Sequence, residues 1–349
     1  MLDLLELSLD QLRGWMTEHG LPAYRAGQVW RWLFEKRANE FEEMSDLPKA
    51  MRGLLAENFR IWTATVVFRQ TAADGTEKLL VELADRQQIE CVLIREGKRR
   101  TICISTQVGC AMGCVFCASG LEGVARNLTT GEIVEQMLRL ARLLPDEERI
   151  SNIVVMGMGE PLANLDELLP ALEVASDAAG LGIGARRITV STVGLPPAID
   201  RLAELDLHYH LAVSLHAPND ELRNELVKVN KKTGIEPILA AADRYFERTG
   251  RRLTFEYVLL GGVNDQPQHA RELVKLLRGK VALLNVIPYN PVAGLPYRTP
   301  SAAALARFTK ILTEGGINIQ VRQRKGDRID AACGQLRRSR QVPLPLRGS

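Results

Sequence analysis

The stretch TICISTQVGCAMGCVFCASGLEGVAR, residues 101–126, places three cysteines on one short loop directly after a run of strand-forming residues. Cys110, Cys114 and Cys117 follow a C-x3-C-x2-C spacing. Thiolate sulfur is a soft ligand that selects zinc, copper(I) or iron–sulfur clusters, and cysteines that bind clusters are often spaced this closely. The spacing therefore predicts a metal site on this loop rather than three unrelated buried thiols.

The choice of metal depends on the number of ligands. A closed structural zinc site needs four protein ligands, and neither a second C-x2-C pair nor an H-x3-H pair follows at the usual distance. Zinc is accordingly the weaker interpretation. Three cysteines around a 4Fe-4S cluster would leave one iron free to bind a substrate or cofactor, so the loop predicts chemistry rather than electron storage alone.

Length and composition indicate a soluble globular protein. A chain of 349 residues suggests about two domains, and 46% hydrophobic with 25% charged residues is ordinary for that class. There is no apolar run of membrane-spanning length, and the N-terminal MLDLLELSLD does not resemble a signal peptide. Six cysteines, three of them bunched, do not form a secreted disulfide framework. We therefore expect a cytoplasmic protein, while a net charge of +3 neither requires nor excludes nucleic acid.

The N-terminal region has a helical pattern from Ser8 to about Phe59. Ser8 with Gln11 predicts a capping box at the first helix. Cations crowd the second helix at Arg25, Arg31, Lys36 and Arg37. They indicate either a surface that faces RNA phosphates or an ordinary solvated face, and the sequence does not choose between the two.

Strand-like runs and amphipathic helices alternate through the rest of the chain. Four runs precede the cysteine loop, with a turn at Asp74 and Gly75, at residues 63–70, 78–82, 89–95 and 101–106. Thr129 and Glu132 predict a helix cap after the loop, and six more runs follow, at 150–156, 187–192, 208–215, 253–260, 281–288 and 317–322. Such alternation predicts a parallel sheet with crossover helices, too short to close an eight-stranded barrel. We expect four regions, 1–60, 61–100, 101–325 and 326–349.

The first of these later strands runs into the sequence MGMGEP. Gly157 and Gly159 allow close approach of a ligand to the backbone, and Glu160 offers a carboxylate. A lone Gly-x-Gly is more often a simple turn. Because the cysteine loop precedes it, we expect this strand end to bind a ligand.

Two cysteines outside the loop are candidates for a redox pair. Cys103 lies on the strand that leads into the loop, and Cys333 lies in the segment DAACGQL. Each alone is more often a core thiol. Glu90, in QQIECVLI, would by itself be interpreted as a solvent-facing strand carboxylate, and its neighbour Cys91 points to the opposite face and is expected in the core.

The C-x3-C-x2-C spacing, with Phe116 before its last cysteine, resembles the radical S-adenosylmethionine (SAM) superfamily. The wider stretch CISTQVGCAMGCVFCASGLEGVARNLTTGEIVEQ, together with TFEYVLLGGVND and NVIPYNP, is similar to one branch, the adenine-C2 RNA methyltransferases of the RlmN family, and the resemblance covers nearly the whole chain. It implies an α/β fold, a partial (βα)6 radical-SAM barrel with a small N-terminal helical domain and a β-extension. It also implies a 4Fe-4S cluster on Cys110, Cys114 and Cys117.

The resemblance further implies which residues bind SAM. The family's motif positions correspond here to Gly159, Glu160, Ser191, Ser214, Leu215, His216 and Asn290. Taken alone, His216 would more often be a packed or surface histidine.

Chemistry explains why the family would need a thiol pair. Carbon 2 of adenine lies between two ring nitrogens and is too electron-poor to attack the methyl group of SAM. The resemblance implies two SAM molecules per turnover, Cys333 as a methyl carrier, Glu90 as proton acceptor, and Cys103 as the thiol that releases the product by forming a disulfide with Cys333.

The implied partners are 23S ribosomal RNA, certain transfer RNAs and an electron donor such as flavodoxin, with no membrane involved; we expect a monomer. The basic run RQRKGDRIDAACGQLRRSRQ around Cys333 suits delivery of RNA, although a tail without a specific role is the alternative. A sister branch that methylates carbon 8 is a second candidate, against which Pro161 and Val108 favour carbon 2. A non-catalytic RNA-binding zinc or redox module is the third.

Overall fold

Three helices form the N-terminal part of the chain in the computed structural model, which describes residues 1–205, 208–322 and 329–336. They are α1 (Leu9–Glu18), α2 (Arg25–Phe34) and α3 (Lys49–Asn58), and a short parallel pair, β1 (Leu2–Asp3) with β2 (Phe59–Arg60), brings the two ends of this region together. The backbone N–H of Gln11 donates to Ser8 Oγ at 3.2 Å, and the N–H of Ser8 donates to Gln11 Oε1 at 2.7 Å. The predicted capping box is confirmed.

The cations of the second helix mostly have partners within the protein. Arg31 pairs with Asp46 at 2.6 Å, and Arg25 donates to Gln28 Oε1 at 2.8 Å. Arg37 donates to the carbonyl of Leu144 at 2.7 Å, which ties the N-terminal helices to the rest of the molecule. These contacts favour a structural role for Arg25, Arg31 and Arg37 over a surface dedicated to phosphates.

Four strands lead from these helices to the cysteine loop. They are β3 (Thr65–Thr71), β4 (Glu77–Glu82), β5 (Gln88–Glu96) and β6 (Arg99–Cys103), and each pairs antiparallel with the next. The turn between β3 and β4 is where the sequence predicts it, because Gly75 adopts φ +78° and Asp74 Oδ1 accepts from the N–H of Thr76 at 2.9 Å.

The cysteine loop lies between two short strands that pair with each other. These are β7 (Gln107–Gly109) and β8 (Val124–Asn127), followed by α4 (Thr130–Ala141). The N–H of Glu132 donates to Thr129 Oγ1 at 3.2 Å, and the N–H of Thr129 donates to Glu132 Oε2 at 3.0 Å. The predicted cap of α4 is therefore confirmed, and it fixes the chain immediately after the loop.

The remaining strands extend the sheet in parallel. The strands are β9 (Asn152–Val155), β10 (Ile188–Thr192), β11 (His210–Ser214), β12 (Leu253–Leu259), β13 (Ala282–Pro288) and β14 (Ile319–Val321). The helices between them are α5 (Leu165–Ser176), α6 (Pro196–Ala203), α7 (Asp220–Leu226), α8 (Asn230–Thr233), α9 (Ile235–Thr249), α10 (Pro267–Leu277) and α11 (Ala302–Glu314). Leu211, Ala212 and Val213 of β11 are all fully buried, as expected for a strand covered on both faces.

The sheet order is β14-β13-β12-β11-β10-β9-β6-β5-β4-β3. Its parallel part, from β6 through β9 to β14, contains six strand–helix units, which confirms the expected partial (βα)6 barrel with an antiparallel extension. Within the described ranges the two end strands, β14 and β3, do not pair with each other. The proposed division at residues 60, 100 and 325 stays a prediction.

The described residues include no helix that is both long enough and apolar enough to cross a bilayer.

Candidate active site

The cysteine loop is held by backbone contacts on three sides. Gly109 adopts φ +83°, and a Cβ there would lie 2.0 Å from the carbonyl oxygen of Gly123, so only glycine fits. The N–H of Cys110 donates to that same oxygen at 3.0 Å. Further along, the N–H of Val115 donates to the carbonyl of Leu226 at 3.0 Å. The three loop cysteines line one cavity of about 140 Å³.

These thiols lie in a desolvated environment and close to one another. Burial raises the pKa of Cys110 to about 12 and that of Cys114 well above its usual value, and the neighbouring sulfur atoms add to both effects. Three thiolates cannot share such a volume unless positive charge accompanies them. A soft, positively charged centre supplies that charge. The described residues bring no three donors together around a single metal ion, so the loop fits a multi-iron cluster better than one ion.

The glycines at the end of β9 bring its backbone close to the strand that enters the loop. A Cβ on Gly157 would lie 2.6 Å from the carbonyl oxygen of Ile104, and one on Gly159, which adopts φ +106°, would lie 2.7 Å from the Gln107 side chain. Glu160 is buried, and its carboxylate accepts from the N–H of Val193 at 2.9 Å and of Leu162 at 3.0 Å. Burial raises the pKa of Glu160. Its position is therefore fixed by the backbone around it.

The other five candidate positions lie in three different surroundings. Ser191, Ser214 and His216 line the small cavity together with the loop cysteines, Gly159 and Glu160. Asn290 instead lines a larger neighbouring cavity of about 510 Å³. Leu215 is fully buried and lines neither of these two cavities.

His216 is positioned against the loop. Its ring lies edge-to-face with Phe116, with 5.0 Å between ring centroids, and its Nδ1 accepts from the N–H of Val258 at 3.1 Å. Burial lowers the pKa of His216 to about 3. The imidazole is therefore neutral at physiological pH.

Cys333 lines both cavities. In the small one it faces the loop cysteines, and in the large one it meets Cys103 of β6. Cys333 is exposed whereas Cys103 is buried, and burial raises the pKa of Cys103 to about 12 with a further contribution from Cys333. All six cysteines of the chain are unpaired. The predicted Cys103–Cys333 disulfide is thus not present in this structure.

The sequence analysis missed two charged residues of this site. Arg322, directly after β14, and Glu256 on β12 line both cavities. The neighbouring sulfur of Cys333 raises the pKa of Arg322. Burial raises the pKa of Glu256. A glutamate inside the otherwise apolar run TFEYVLL was the available signal, because charged side chains seldom lie in a strand covered on both faces.

The large cavity contains buried polar atoms that have no partner in the described part of the chain. They are Glu256 Oε2, Asn285 Oδ1 and Asn290 Oδ1. Leaving such atoms unsatisfied costs about 1–3 kcal/mol each, so they indicate a site that a polar ligand completes. Glu256 also lines the small cavity, so its unpaired oxygen fits a polar cofactor such as SAM there.

Glu90 is buried, so its interpretation as a solvent-facing carboxylate was wrong. Its side chain lies 2.8 Å from Lys78 Nζ, and neither side chain is more than 8% exposed. Cys91 is fully buried, as predicted, on the face opposite to Glu90. The two faces differ because side chains alternate along β5.

The basic run around Cys333 is mostly beyond the described residues. The structure describes Arg322 and residues 329–336 of it, so its role in RNA delivery stays a prediction.

Family models match two parts of the chain. Residues 104–274 match the model of the radical SAM superfamily. Residues 2–61 match that of the ribosomal RNA large subunit methyltransferase N-terminal domain.

Relatives match the chain over nearly its full length. A probable dual-specificity RNA methyltransferase RlmN from Rhodopirellula baltica is 66% identical over 97% of this chain and 91% of its own length. One of the same name from Bacillus cereus is 46% identical, with 96% and 92% covered. The crystal structure of a radical SAM methyltransferase from Sphaerobacter thermophilus superposes with a TM-score of 0.94 at 45% identity, over 97% of this chain and all of that one. This chain therefore belongs to the radical SAM superfamily and, within it, to the RlmN family of RNA methyltransferases.

Proposed function

We propose that this protein methylates carbon 2 of an adenosine in 23S ribosomal RNA and in transfer RNA, by way of an S-methyl group carried on Cys333, with two SAM molecules per turnover. The observation that carries the proposal is the position of Cys333. Its side chain lines both the cavity of the loop cysteines and the larger cavity that contains Cys103. A carrier must face the methyl donor and the acceptor in turn, and this position suits both.

Cys110, Cys114 and Cys117 would hold the 4Fe-4S cluster. The cavity of these cysteines is also lined by five residues that would bind SAM next to the cluster: Gly159, Glu160, Ser191, Ser214 and His216. Leu215 would support the cavity wall between Ser214 and His216, and Asn290 would reach SAM from the larger cavity. When bound, the cluster and SAM supply a carbon radical able to remove hydrogen from an S-methyl group. The neutral ring of His216 suits this site because a second positive charge next to a sulfonium would be unfavourable.

Cys333 acts first as a nucleophile. Its thiolate takes the methyl group of one SAM, and S-adenosylhomocysteine leaves. Arg322 supplies positive charge beside the sulfur. The same sulfur then carries the carbon that joins carbon 2 of the adenine. Carbon 2 therefore does not have to act as a nucleophile, for which it is too electron-poor.

Release of the product needs two further groups of the chain. The adduct must lose the proton of carbon 2 and one electron. Glu90 accepts the proton, and an oxidised cluster, when bound, would take the electron. The thiolate of Cys103 attacks the sulfur of Cys333, and a disulfide forms between the two cysteines. The bond between sulfur and the methylene carbon breaks with its electron pair on carbon, which takes up a proton to become the methyl group. Reopening this disulfide takes two electrons and two protons, which an external thiol reductant can supply. We propose a flavodoxin-type donor for the single electron that cleavage of SAM requires.

The large cavity supports an RNA base as the substrate. Its volume of about 510 Å³ lies within the ~300–1,000 Å³ of small-molecule sites. An adenine whose carbon 2 reacts inside such a cavity must leave its stack, so we expect a splayed nucleotide in both RNAs. Both relatives named above carry the description dual-specificity, which supports two RNA substrates.

The sister activity at carbon 8 is the second candidate. Pro161 after the Gly-Glu pair and Val108 before Gly109 favour carbon 2. Pro161 lines the small cavity, and Val108 is fully buried in β7 beneath the loop.

Product analysis tests the proposal. The anaerobically purified, cluster-loaded protein would be incubated with SAM, a reductant and either 23S ribosomal RNA or transfer RNA, and the digested nucleosides separated by chromatography with mass detection. We expect 2-methyladenosine from both. Production of 8-methyladenosine would instead assign the sister activity.

A further inference from the structure

Lys78 is a buried cation of β4 to which the proposed chemistry has assigned no role. Its side chain is 8% exposed, and its Nζ lies 2.8 Å from Glu90 Oε1. In the sheet, Lys78 is opposite Val92 on β5, and Val92 is opposite Cys103 on β6. Residues opposite each other in neighbouring strands point to the same face. Lys78, Glu90 and Cys103 therefore share the inner face of the sheet.

The same ammonium group also reaches the segment that carries Cys333. Lys78 Nζ donates to the backbone carbonyl of Asp330 at 3.1 Å, three residues before Cys333. Asp330 adopts φ +50°, a left-handed conformation that aspartate adopts more readily than most residues. Lys78 thus contacts both Glu90 and the backbone that leads to the carrier sulfur.

Other hydrogen bonds hold this segment at Cys333 and after it. Asn290 Nδ2 donates to the carbonyl of Cys333 at 3.5 Å. The N–H of Ala118 donates to the carbonyl of Gly334 at 2.8 Å, Ser119 Oγ donates to the carbonyl of Leu336 at 2.6 Å, and Gln335 Nε2 donates to that of Pro291 at 2.9 Å. On the preceding side, Lys78 bonds the backbone at Asp330, between Ile329 and Ala331, which pack against the hydrophobic core.

A buried lysine is unfavourable unless its charge is paired and its N–H groups are bonded. Glu90 meets the first requirement and Asp330 contributes to the second. We propose that Lys78 is a positioning residue that holds the carboxylate of Glu90 and the backbone before Cys333 in one arrangement. The proton acceptor and the carrier sulfur can then reach the same adenine. This inference rests on the proposed function for the roles of Glu90 and Cys333.

Four variants separate positioning from simple loss of stability. Lys78→Met removes the charge and the donor, whereas Lys78→Arg keeps both. The double variant Lys78→Met, Glu90→Gln removes both buried charges, and it provides a folded protein should the single variant fail to fold. Lys310→Met is the matched control, because Lys310 is exposed on α11 and pairs only loosely with Glu314, at 3.7 Å.

Hydrogen–deuterium exchange of the cluster-loaded protein, followed by mass spectrometry, measures the anchoring without relying on catalysis. We expect the peptide of residues 329–336 to exchange about fivefold faster or more in Lys78→Met and in the double variant. Exchange in α1 should stay unchanged, and Lys78→Arg and Lys310→Met should match the wild type within about twofold. Wild-type exchange of residues 329–336 in both Lys78→Met proteins would overturn the inference.

Turnover with RNA tests the link to Glu90. We expect Lys78→Met to accumulate RNA covalently bound to Cys333, because a displaced carboxylate removes the proton slowly, and we expect Lys78→Arg to restore release. Normal release by Lys78→Met would refute the positioning of Glu90. If the wild-type protein methylates no RNA, the proposed function fails, and the exchange experiment alone then decides whether Lys78 anchors the segment.

Discussion

His216 shows how one backbone conformation and one hydrogen bond fix the charge of a side chain. The residue adopts φ +61°, which is uncommon outside glycine, asparagine and aspartate. Its Nδ1 accepts from the N–H of Val258, so the folded state requires an unprotonated nitrogen there. Burial adds to this and lowers the pKa of His216 to about 3.

The lowered pKa predicts a specific sensitivity to acid. The unfolded chain takes up a proton at His216 near its ordinary pKa of 6.5, whereas the folded chain does so only near 3. Stability from this residue is therefore complete above pH 6.5 and is lost as the pH falls toward 3. Asparagine tolerates positive φ and can accept from the N–H of Val258, so His216→Asn removes the titrating group and keeps the conformation. The slope of the unfolding free energy against pH, between about pH 6.5 and 5, should then fall by up to ~1.4 kcal/mol per pH unit. Denaturant titrations measure it, and equal slopes would contradict it.

Single residues differ in how far the sequence could predict them. The loop cysteines and Gly159 follow spacing rules that the chain itself displays. Arg322 and Lys78 do not, because a lone cation on a strand gives the same pattern whether it points to solvent or to a cavity. Only the packing of distant segments distinguishes the two. For the same reason the pattern of β5 alone favoured a solvent-facing Glu90, and the family resemblance was needed to place it in the site.

The glycines of the turn after β9 determine how close this turn can approach β7. Gly159 adopts φ +106°, and a Cβ there would lie 2.7 Å from the Gln107 side chain and 2.8 Å from its backbone nitrogen. The N–H of Glu160 donates to Gln107 Oε1 at 2.8 Å, so the turn and β7 move together.

Gly159→Ala should therefore displace the turn and the carboxylate of Glu160. We expect a loss of unfolding free energy of about 2 kcal/mol, from the positive φ and the contact with Gln107, and weaker SAM binding. Gly14→Ala is the control, because Gly14 is exposed within α1 with open space around it, and alanine there should stabilise by about 0.5–1 kcal/mol. Denaturation and SAM titration measure both effects. An unchanged SAM affinity in Gly159→Ala would be inconsistent with a binding role for this turn.

The iron content of the protein tests the proposed role of the cysteine loop. We expect about four irons per wild-type chain after anaerobic purification, as a 4Fe-4S cluster requires. Replacing Cys110, Cys114 or Cys117 by alanine should remove the cluster, because no other cysteine has the loop spacing needed to replace the missing ligand. Cys91→Ala, in the core, should keep its iron. Iron, sulfide and zinc analysis decides the matter, and stoichiometric zinc without iron would favour the non-catalytic zinc module.

The periodicity of apolar residues predicted which segments form the sheet better than it predicted where each strand ends and which short strands pair. The run 150–156 was expected to be a strand, and β9 is shorter, from Asn152 to Val155. The short pairing of β7 with β8 was not predicted. It depends on the close approach of Gly109 to Gly123, which no pattern of apolar residues reveals.

The whole molecule brings together segments that are far apart in sequence. Cys103 comes from the centre of the sheet, whereas Cys333 comes from the end of the described chain, and the two meet in one cavity. Spacing could not predict this meeting, and the similarity to a known family supplied the pairing. The full-length match to RlmN relatives supports the same overall arrangement.

Replacing Cys103 by alanine tests the proposed carrier mechanism on the complete protein. If Cys103 only packs in the core, Cys103→Ala should give normal product and lose about 1 kcal/mol of stability. If Cys103 releases the product, the bond between Cys333 and adenine should form but persist. RNA should then copurify covalently with Cys103→Ala and be absent from the double variant Cys103→Ala, Cys333→Ala.

Mass spectrometry of the nuclease-digested Cys103→Ala protein decides between these outcomes. The mechanism predicts the Cys333 peptide with one methylene-linked adenosine nucleotide, and no such adduct on the wild-type protein. An unmodified Cys333 peptide together with normal turnover would contradict it.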